Sequence, residues 1–406
     1  MFKSLMYRML QRRHFWRYAT FGQVAELYTA RLLRQTGSAM IATFVAIYMY
    51  KNGYDLHYIA AYYAIYFTFR ALVAWPSAMF IARFGPKHAM LIANIISIPS
   101  LVAFSFLDEI GLWALMIYTL CQGTSMTLYS IAHLTGFSKV KHDMHAGREI
   151  GYMHIVDKVA AGISPLVGGA IAWLVSPEVT MWIASGLLLL AAVPLFRTAE
   201  PVMRGQKLSL GGFPWYQTWR SMRAEIAIGV DTASITIVWP LYLAIVVFAN
   251  SASSVYAKIG ALSAVTIFAG LFVSRIYGII IDRKKGGELL RYSTIAKSFV
   301  HLTRPFVVTP LAALLTNILN EIAASGYSMA FMRGMFDLAD RTGHRIVYLT
   351  LIEIGLNIGS VIICTVMVVA VMLIPDVSIA LGVVFGVAAM LVLAIMTARF
   401  PLYRHG

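Results

Sequence analysis

Twelve times along this chain a run of about twenty or more mostly apolar residues recurs, and that recurrence limits the fold more than any single motif. In a bilayer each backbone N–H and C=O must be paired inside the segment, so a run of this length is satisfied by a helix that crosses the hydrocarbon core. The runs lie roughly at residues 27 to 50, 57 to 82, 88 to 107, 111 to 137, 150 to 175, 179 to 197, 225 to 249, 255 to 281, 290 to 308, 310 to 336, 346 to 374 and 377 to 399. Only Thr309-Pro310 separates the ninth from the tenth. Composition agrees: 59% of the 406 residues are hydrophobic and 13% charged, and a mean hydropathy of +0.74 leaves too little polar material for a hydrated surface. The expected fold class is therefore an all-α membrane protein with twelve transmembrane helices.

Charge sets the expected orientation, because basic residues flanking membrane spans stay on the cytoplasmic side. One set of alternate connections holds Arg83 and Lys87; Lys139, Lys141 and Arg148; Arg197, Arg204, Lys207, Arg220 and Arg223; Lys284, Lys285 and Arg291; Arg341 and Arg345. The other set offers Lys51 and Lys258 against Asp55, Asp108, Glu109, Glu178 and Asp376. The basic set is thus expected inside, with both termini. The net charge of +15 is scattered over short segments rather than gathered on one folded face, which argues against a nucleic-acid partner.

Five domains follow. Residues 1–20 carry Lys3, Arg8, Arg12, Arg13 and Arg17 with apolar residues at helical spacing, and lack the features of a cleavable signal. They read either as an amphipathic helix on anionic lipid or as a basic tail that enforces orientation. Residues 21–197 form one six-helix bundle and 224–400 the other. Between them, residues 198–223 hold Pro201, Gly205, Gly211, Gly212 and Pro214 and read as a cytoplasmic linker. Residues 401–406 are a tail.

The two bundles echo each other. Ala78-Met-Phe-Ile-Ala82-Arg83-Phe-Gly85-Pro-Lys87 closes the second run, and Gly278-Ile-Ile-Ile-Asp282-Arg283-Lys284-Lys285-Gly286-Gly287 closes the eighth. The fifth run contains Gly162-Ile-Ser164-Pro165-Leu-Val-Gly168-Gly169, where small residues let helices approach closely and Pro165 removes a backbone donor. Simple helix packing and a direct part in transport both explain that element.

Six plus six spans, a long linker and this repeated turn resemble the major facilitator superfamily of secondary transporters. The fifth-run element is similar to the Gly-Pro-x-x-Gly-Gly element of its drug/proton antiporters, with Arg148 where they place a loop arginine, and Gln122-Gly123 is similar to the end of their fourth-helix element. The chain departs from the pattern at Ala82, Thr119 and Ser164. The resemblance implies a conformational latch made by Arg83, Arg148, Gly278, Asp282 and Arg283, with Asp282 meeting the start of the fifth helix near Arg148. It also implies that the first helix lines a central cavity and that the ninth is peripheral.

Ionisable groups at membrane depth are costly and so are functional candidates. Arg31, Arg34, Gln35 and Ser38 share one face of the first helix; they meet substrate or snorkel. Arg70 follows Tyr66 by one turn and Tyr62 by two, so it binds an anionic group, stacks on tyrosine or pairs with Asp157. Substrate-binding candidates are Arg31, Arg34, Gln35, Tyr66, Arg70, Gln122, Asp231 and Asn357. Shielding from water favours the neutral carboxyl that proton coupling needs, which nominates Asp157, Asp231, Glu321 and Glu353; an internal ion pair is the competing reading for each. Lys297, His301 and Arg304 on the ninth helix are expected to bury against Glu321 on the tenth. Cys121 and Cys364 lie in apolar runs, which leaves no disulfide framework. His142 and His145 lack metal-ligand spacing, and no nucleotide-binding loop is present, so no metal, cofactor or enzymatic activity is expected.

The chain is thus expected to be a monomeric, multi-pass transporter of the plasma or bacterial cytoplasmic membrane, in contact with lipids. Its expected task is alternating-access transport of a small organic molecule, as proton-coupled efflux. Organic-anion transport through a cationic cavity, and a transporter-like receptor without translocation, are the alternatives.

Overall fold

The computed structural model describes residues 21–42, 44–140, 146–196, 208–249 and 254–403. The basic segment 1–20, His142 and His145, and much of the expected linker lie outside the described residues. Among those described there are helices and short turns but no strand.

The long helices are α1 (Phe21–Ala42, resumed as Val45–Lys51), α2 (Leu56–Phe84), α3 (Pro86–Ser105), α4 (Leu112–Val140), α5 (Ala146–Leu174) and α6 (Pro177–Ala192). After the connection come α7 (Trp215–Ala233), α8 (Val255–Asp282), α9 (Gly286–Thr303), α10 (Pro310–Arg341), α11 (Arg345–Leu373) and α12 (Val377–Val392). Eight of these, α2, α3, α5 to α8, α11 and α12, are long and apolar enough to cross a membrane.

Local chemistry explains the boundaries. Thr309 is extended and its side chain accepts from the Ala312 N–H at 3.3 Å, while Pro310 fills the first helical position, so α9 and α10 are separate helices despite the short divider. Asp376 caps α12 in the same way through the Ile379 N–H at 3.0 Å. The two echoed turns differ in conformation. Gly85 (φ 92°) lets α2 reverse into Pro86 of α3, whereas the second copy places Lys284 at φ 63°, a left-handed position costing a non-glycine residue about 1–2 kcal/mol. Trp215–Arg223, expected in the linker, is already helical as the first turns of α7. That helix continues through two wide turns, Ser234–Val238 and Leu243–Val247, on either side of Trp239-Pro240. Pro240 supplies no N–H, and single wide turns of this kind recur at functional sites.

The helices form two halves, α1 to α6 and α7 to α12, joined along α2 against α11 and α5 against α8. The α5/α8 seam is built from missing side chains. A Cβ on Gly169 would lie 2.5 Å from the Tyr256 carbonyl oxygen, one on Gly260 would strike the Pro165 carbonyl, and one on Gly151 would lie 3.2 Å from the Ser274 carbonyl. Gly168 does the same against the Met40 carbonyl of α1 at 2.5 Å. Gly162 and Pro165 are buried in the same stretch, so the fifth-run element is an inter-helix packing surface. Aromatic contacts also bridge the two halves. Phe44 and Tyr256 meet edge-on at 5.4 Å, and Phe137 and Phe336 at 5.4 Å near the basic turns.

Candidate functional site

Two ion pairs join the halves among the described residues. On α11, Glu353 accepts from Arg70 Nη2 of α2 at 2.7 Å through Oε1 and from Ser130 Oγ of α4 at 2.6 Å through Oε2. Asn357, one turn on, donates to the Glu353 carbonyl at 2.7 Å and to Oε1 at 3.2 Å, so the carboxylate is fully engaged although only 3% of its side chain is exposed. The Arg70 guanidinium also lies 5.8 Å and 5.6 Å from the Tyr66 and Phe67 ring centres, which replace water around the cation. On the other seam, Lys158 Nζ of α5 meets Glu321 Oε1 of α10 at 2.6 Å. Ser325 Oγ donates to the same oxygen at 3.1 Å and lies 3.4 Å from His154 Nε2. Gly270 of α8 leaves the room for Glu321, since a Cβ there would stand 2.5 Å from Oε1.

A third cluster lies wholly within the second half. Asp231 of α7 accepts from Lys297 Nζ at 3.2 Å, His301 Nε2 at 2.6 Å and the Tyr327 hydroxyl. Arg304 Nη1 stands 3.3 Å from His301 Nδ1. A guanidinium only donates, so Nδ1 is the acceptor and Nε2 carries the proton given to Asp231. The imidazole is therefore neutral, and two buried cations face one carboxylate. Asn320 of α10 takes up part of that excess: its Oδ1 accepts from both Lys297 Nζ and Arg304 Nη2, the latter at 2.9 Å. Arg304 stacks beneath Trp239, 4.8 Å from the ring.

Between the second and third clusters lies a cavity of about 210 Å³, lined in part by Lys158, Glu321, Thr236, Trp239, Asn317 and Asn320. It is smaller than the roughly 300–1,000 Å³ of drug-sized sites. It draws walls from both halves, and its charged rim is the Lys158–Glu321 pair.

The structure brings Tyr66, Arg70, Glu353 and Asn357 into one inter-half cluster. Other expectations are revised. Asp157 pairs with Arg31 at 2.5 to 2.6 Å, not with Arg70, because helix register puts Arg70 opposite α11 instead of α5. Lys297 and Arg304 reach α10 through Asn320 and α7 through Asp231, whereas Glu321, the expected partner, turns to Lys158. Arg34 is 3% exposed and serves the packing of α1 on α3 and α4, donating to Asn94 Oδ1 at 2.6 Å and Ser125 Oγ at 3.0 Å and stacking on Tyr129. Gln122 accepts from Ser100 Oγ at 3.0 Å and is buried against α3. Gln35 is half-buried on α1. At the latch, Gly278 and Ser274 face Gly151, so Asp282 and the backbone of Arg148 lie at the same end of the α5/α8 seam; the Arg148 side chain lies outside the described residues. Arg83 and Arg283 end α2 and cap α8 at the corresponding turns.

Trp239, Thr236 and Asn320 are the lining residues that sequence reasoning misses. Asn317, Asn320 and Glu321 fall on one face of α10, and an amide stripe beside an acid inside an apolar run is the available signal.

Comparison with known proteins matches this architecture. The model of the family described as Major Facilitator Superfamily matches residues 27–337. The solved structure of the human organic anion transporter MFSD10 (TETRAN) superposes with a TM-score of 0.67 at 10% identity, covering 92% of this chain and 98% of that one. That of FucP, a Major Facilitator Superfamily transporter in the outward conformation, gives 0.65 at 12% identity, over 93% and 99%. At such identities the likeness is one of fold. No curated protein sequence is close enough to this chain to count as a match.

Proposed function

Since this chain belongs to the major facilitator superfamily, we propose that it is a secondary active transporter that carries a small organic molecule across the membrane by alternating access, coupled to protons. All twelve long helices span the bilayer in this reading, the basic turns and both termini face the cytoplasm, and the monomer is the working unit in the plasma or bacterial cytoplasmic membrane. Efflux is the assigned direction, on the resemblance of the Gly162 to Gly169 element to antiporters.

The reading rests above all on two ion pairs that tie the halves, Arg70–Glu353 and Lys158–Glu321, the second of which lines the cavity. Opening either seam must break one of them. Protonation of the carboxylate lowers the cost of that step, since a neutral acid leaves its cation free to pair elsewhere or meet water. Glu353 and Glu321 are the coupling groups in this account, while Asp157 and Asp231 hold their own halves together. Asp282 acts as a latch on the closed α5/α8 end, biasing the conformational equilibrium through contacts made in only one state.

Flux in proteoliposomes tests the reading. Purified protein is expected to move protons when a substrate gradient is imposed, and substrate when a pH gradient is imposed. Ligand binding with no flux under either gradient would make it a receptor instead. Asp282→Asn is expected to change the transport rate; an unchanged rate and unchanged accessibility of the cavity would remove the latch.

A further inference from the structure

The two amides in the cavity wall have a fixed orientation. Asn320 Oδ1 faces Lys297 Nζ and Arg304 Nη2, and Asn317 Oδ1 accepts from Trp239 Nε1 at 2.8 Å. Ammonium, guanidinium and indole nitrogens only donate, so in both side chains the oxygen must be the atom turned into the protein. Each amide therefore leaves its NH2 group for the cavity. Among the described residues neither Nδ2 has an acceptor from the protein, and neither is a fully enclosed orphan.

Charge points the same way. Behind Asn320 sit two fully buried cations against the single carboxylate of Asp231, with a neutral His301. Arg304 Nε, also buried, has no acceptor among the described residues. A surplus positive charge in a low-dielectric interior favours an anion close by. On the opposite wall, Lys158 holds Glu321 across the seam and is the cation an entering anion would meet.

Resting on the transport reading above, we propose that the substrate is a small organic anion whose carboxylate is held by the Asn317 and Asn320 Nδ2 donors, in the field of Lys297 and Arg304. The site is thus placed in the second half, on α7 and α10, rather than on the arginines of the first half. Those arginines are committed: Arg31 to Asp157, Arg34 to Asn94 and Ser125, Arg70 to Glu353. The carboxylate also competes with Glu321 for Lys158, and a Glu321 released in this way becomes free to take a proton. Substrate binding would then prepare the coupling group.

Three probes of one size separate the chemistry: benzoate, benzyl alcohol and benzylamine, titrated by calorimetry against the purified full-length protein. Benzoate is expected to bind at least tenfold more tightly than either isostere. Asn320→Asp keeps the acceptor for Lys297 and Arg304 but removes the donor and cancels the surplus charge; Asn317→Asp keeps the acceptor for Trp239. Each is expected to weaken benzoate at least tenfold, and a thermal midpoint close to that of the parent shows that folding is not the cause. Should one variant fail to fold, the other decides. Benzylamine or benzyl alcohol binding as well as benzoate, no binding of benzoate, or full benzoate affinity in a folded variant would each overturn the assignment. Failure of the transport reading is distinct, since it would leave benzoate bound without flux.

Discussion

Arg70 on α2 donates to Glu353 on α11 at 2.7 Å across 283 positions of sequence, and with the Ser130 hydroxyl of α4 it ties one seam of the two halves. Removing one partner of a buried pair leaves a charge without compensation, a loss of about 3–5 kcal/mol. The loss falls on the closed arrangement, because opening lets water reach Arg70. Glu353→Gln is expected to lower the thermal midpoint and to raise thiol labelling at a cysteine placed in the cavity. Replacing both partners by apolar residues, Arg70→Met with Glu353→Leu, recovers the midpoint but not transport.

Lys158 and Glu321 tie the other seam at 2.6 Å. Reversing either charge alone sets like charges against each other, whereas Lys158→Glu combined with Glu321→Lys restores an attractive pair. A double-mutant cycle on thermal stability is expected to return a coupling of about 0.5–3 kcal/mol. Additive effects would show that the pair does not hold the halves together.

Backbone approach along α5 and α8 gives a prediction with an internal control. Gly169→Ala forces its methyl onto the Tyr256 carbonyl oxygen at 2.5 Å, an overpacking that costs about 1–3 kcal/mol. A methyl group on Gly186 of α6 would meet nothing within 4 Å. Gly186→Ala is therefore expected to leave the midpoint within the equivalent of about 0.5 kcal/mol. Comparable losses in both variants would contradict the close seam.

Asp231 offsets one of two cations in a cluster in which every charged member is fully buried. Asp231→Asn leaves Lys297 and Arg304 without their carboxylate, and a drop in stability of about 3–5 kcal/mol is expected. His301→Gln, which removes a neutral hydrogen-bonding group, is expected to cost about 1–3 kcal/mol. Denaturation of both variants in the same detergent compares them.

Much of the fold is legible because the apolar runs and the capping residues are local signals. The start of α10 at Thr309-Pro310 and the echoed turns at Gly85 and Lys284 need no knowledge of neighbouring helices. The partners of the buried charges are not legible. Depth alone matches Asp157 to Arg70 and Lys297 to Glu321, but pairing depends on how each helix is rotated about its axis, which the halves settle together. Asn320 escapes notice for a related reason: its importance comes from two cations on α9, and only the packed structure brings them to it.

Alternating access requires the cavity to open in turn to the two sides of the membrane. Thr236, exposed on the cavity wall, gives the most direct test once Cys121 and Cys364 are replaced and Thr236→Cys is introduced. A membrane-impermeant thiol reagent is then applied from one side or the other of oriented proteoliposomes. Labelling from either side is expected, with conditions that raise the rate from one side lowering it from the other. Labelling confined to one side under every condition, or rates that rise together on both, would contradict alternating access.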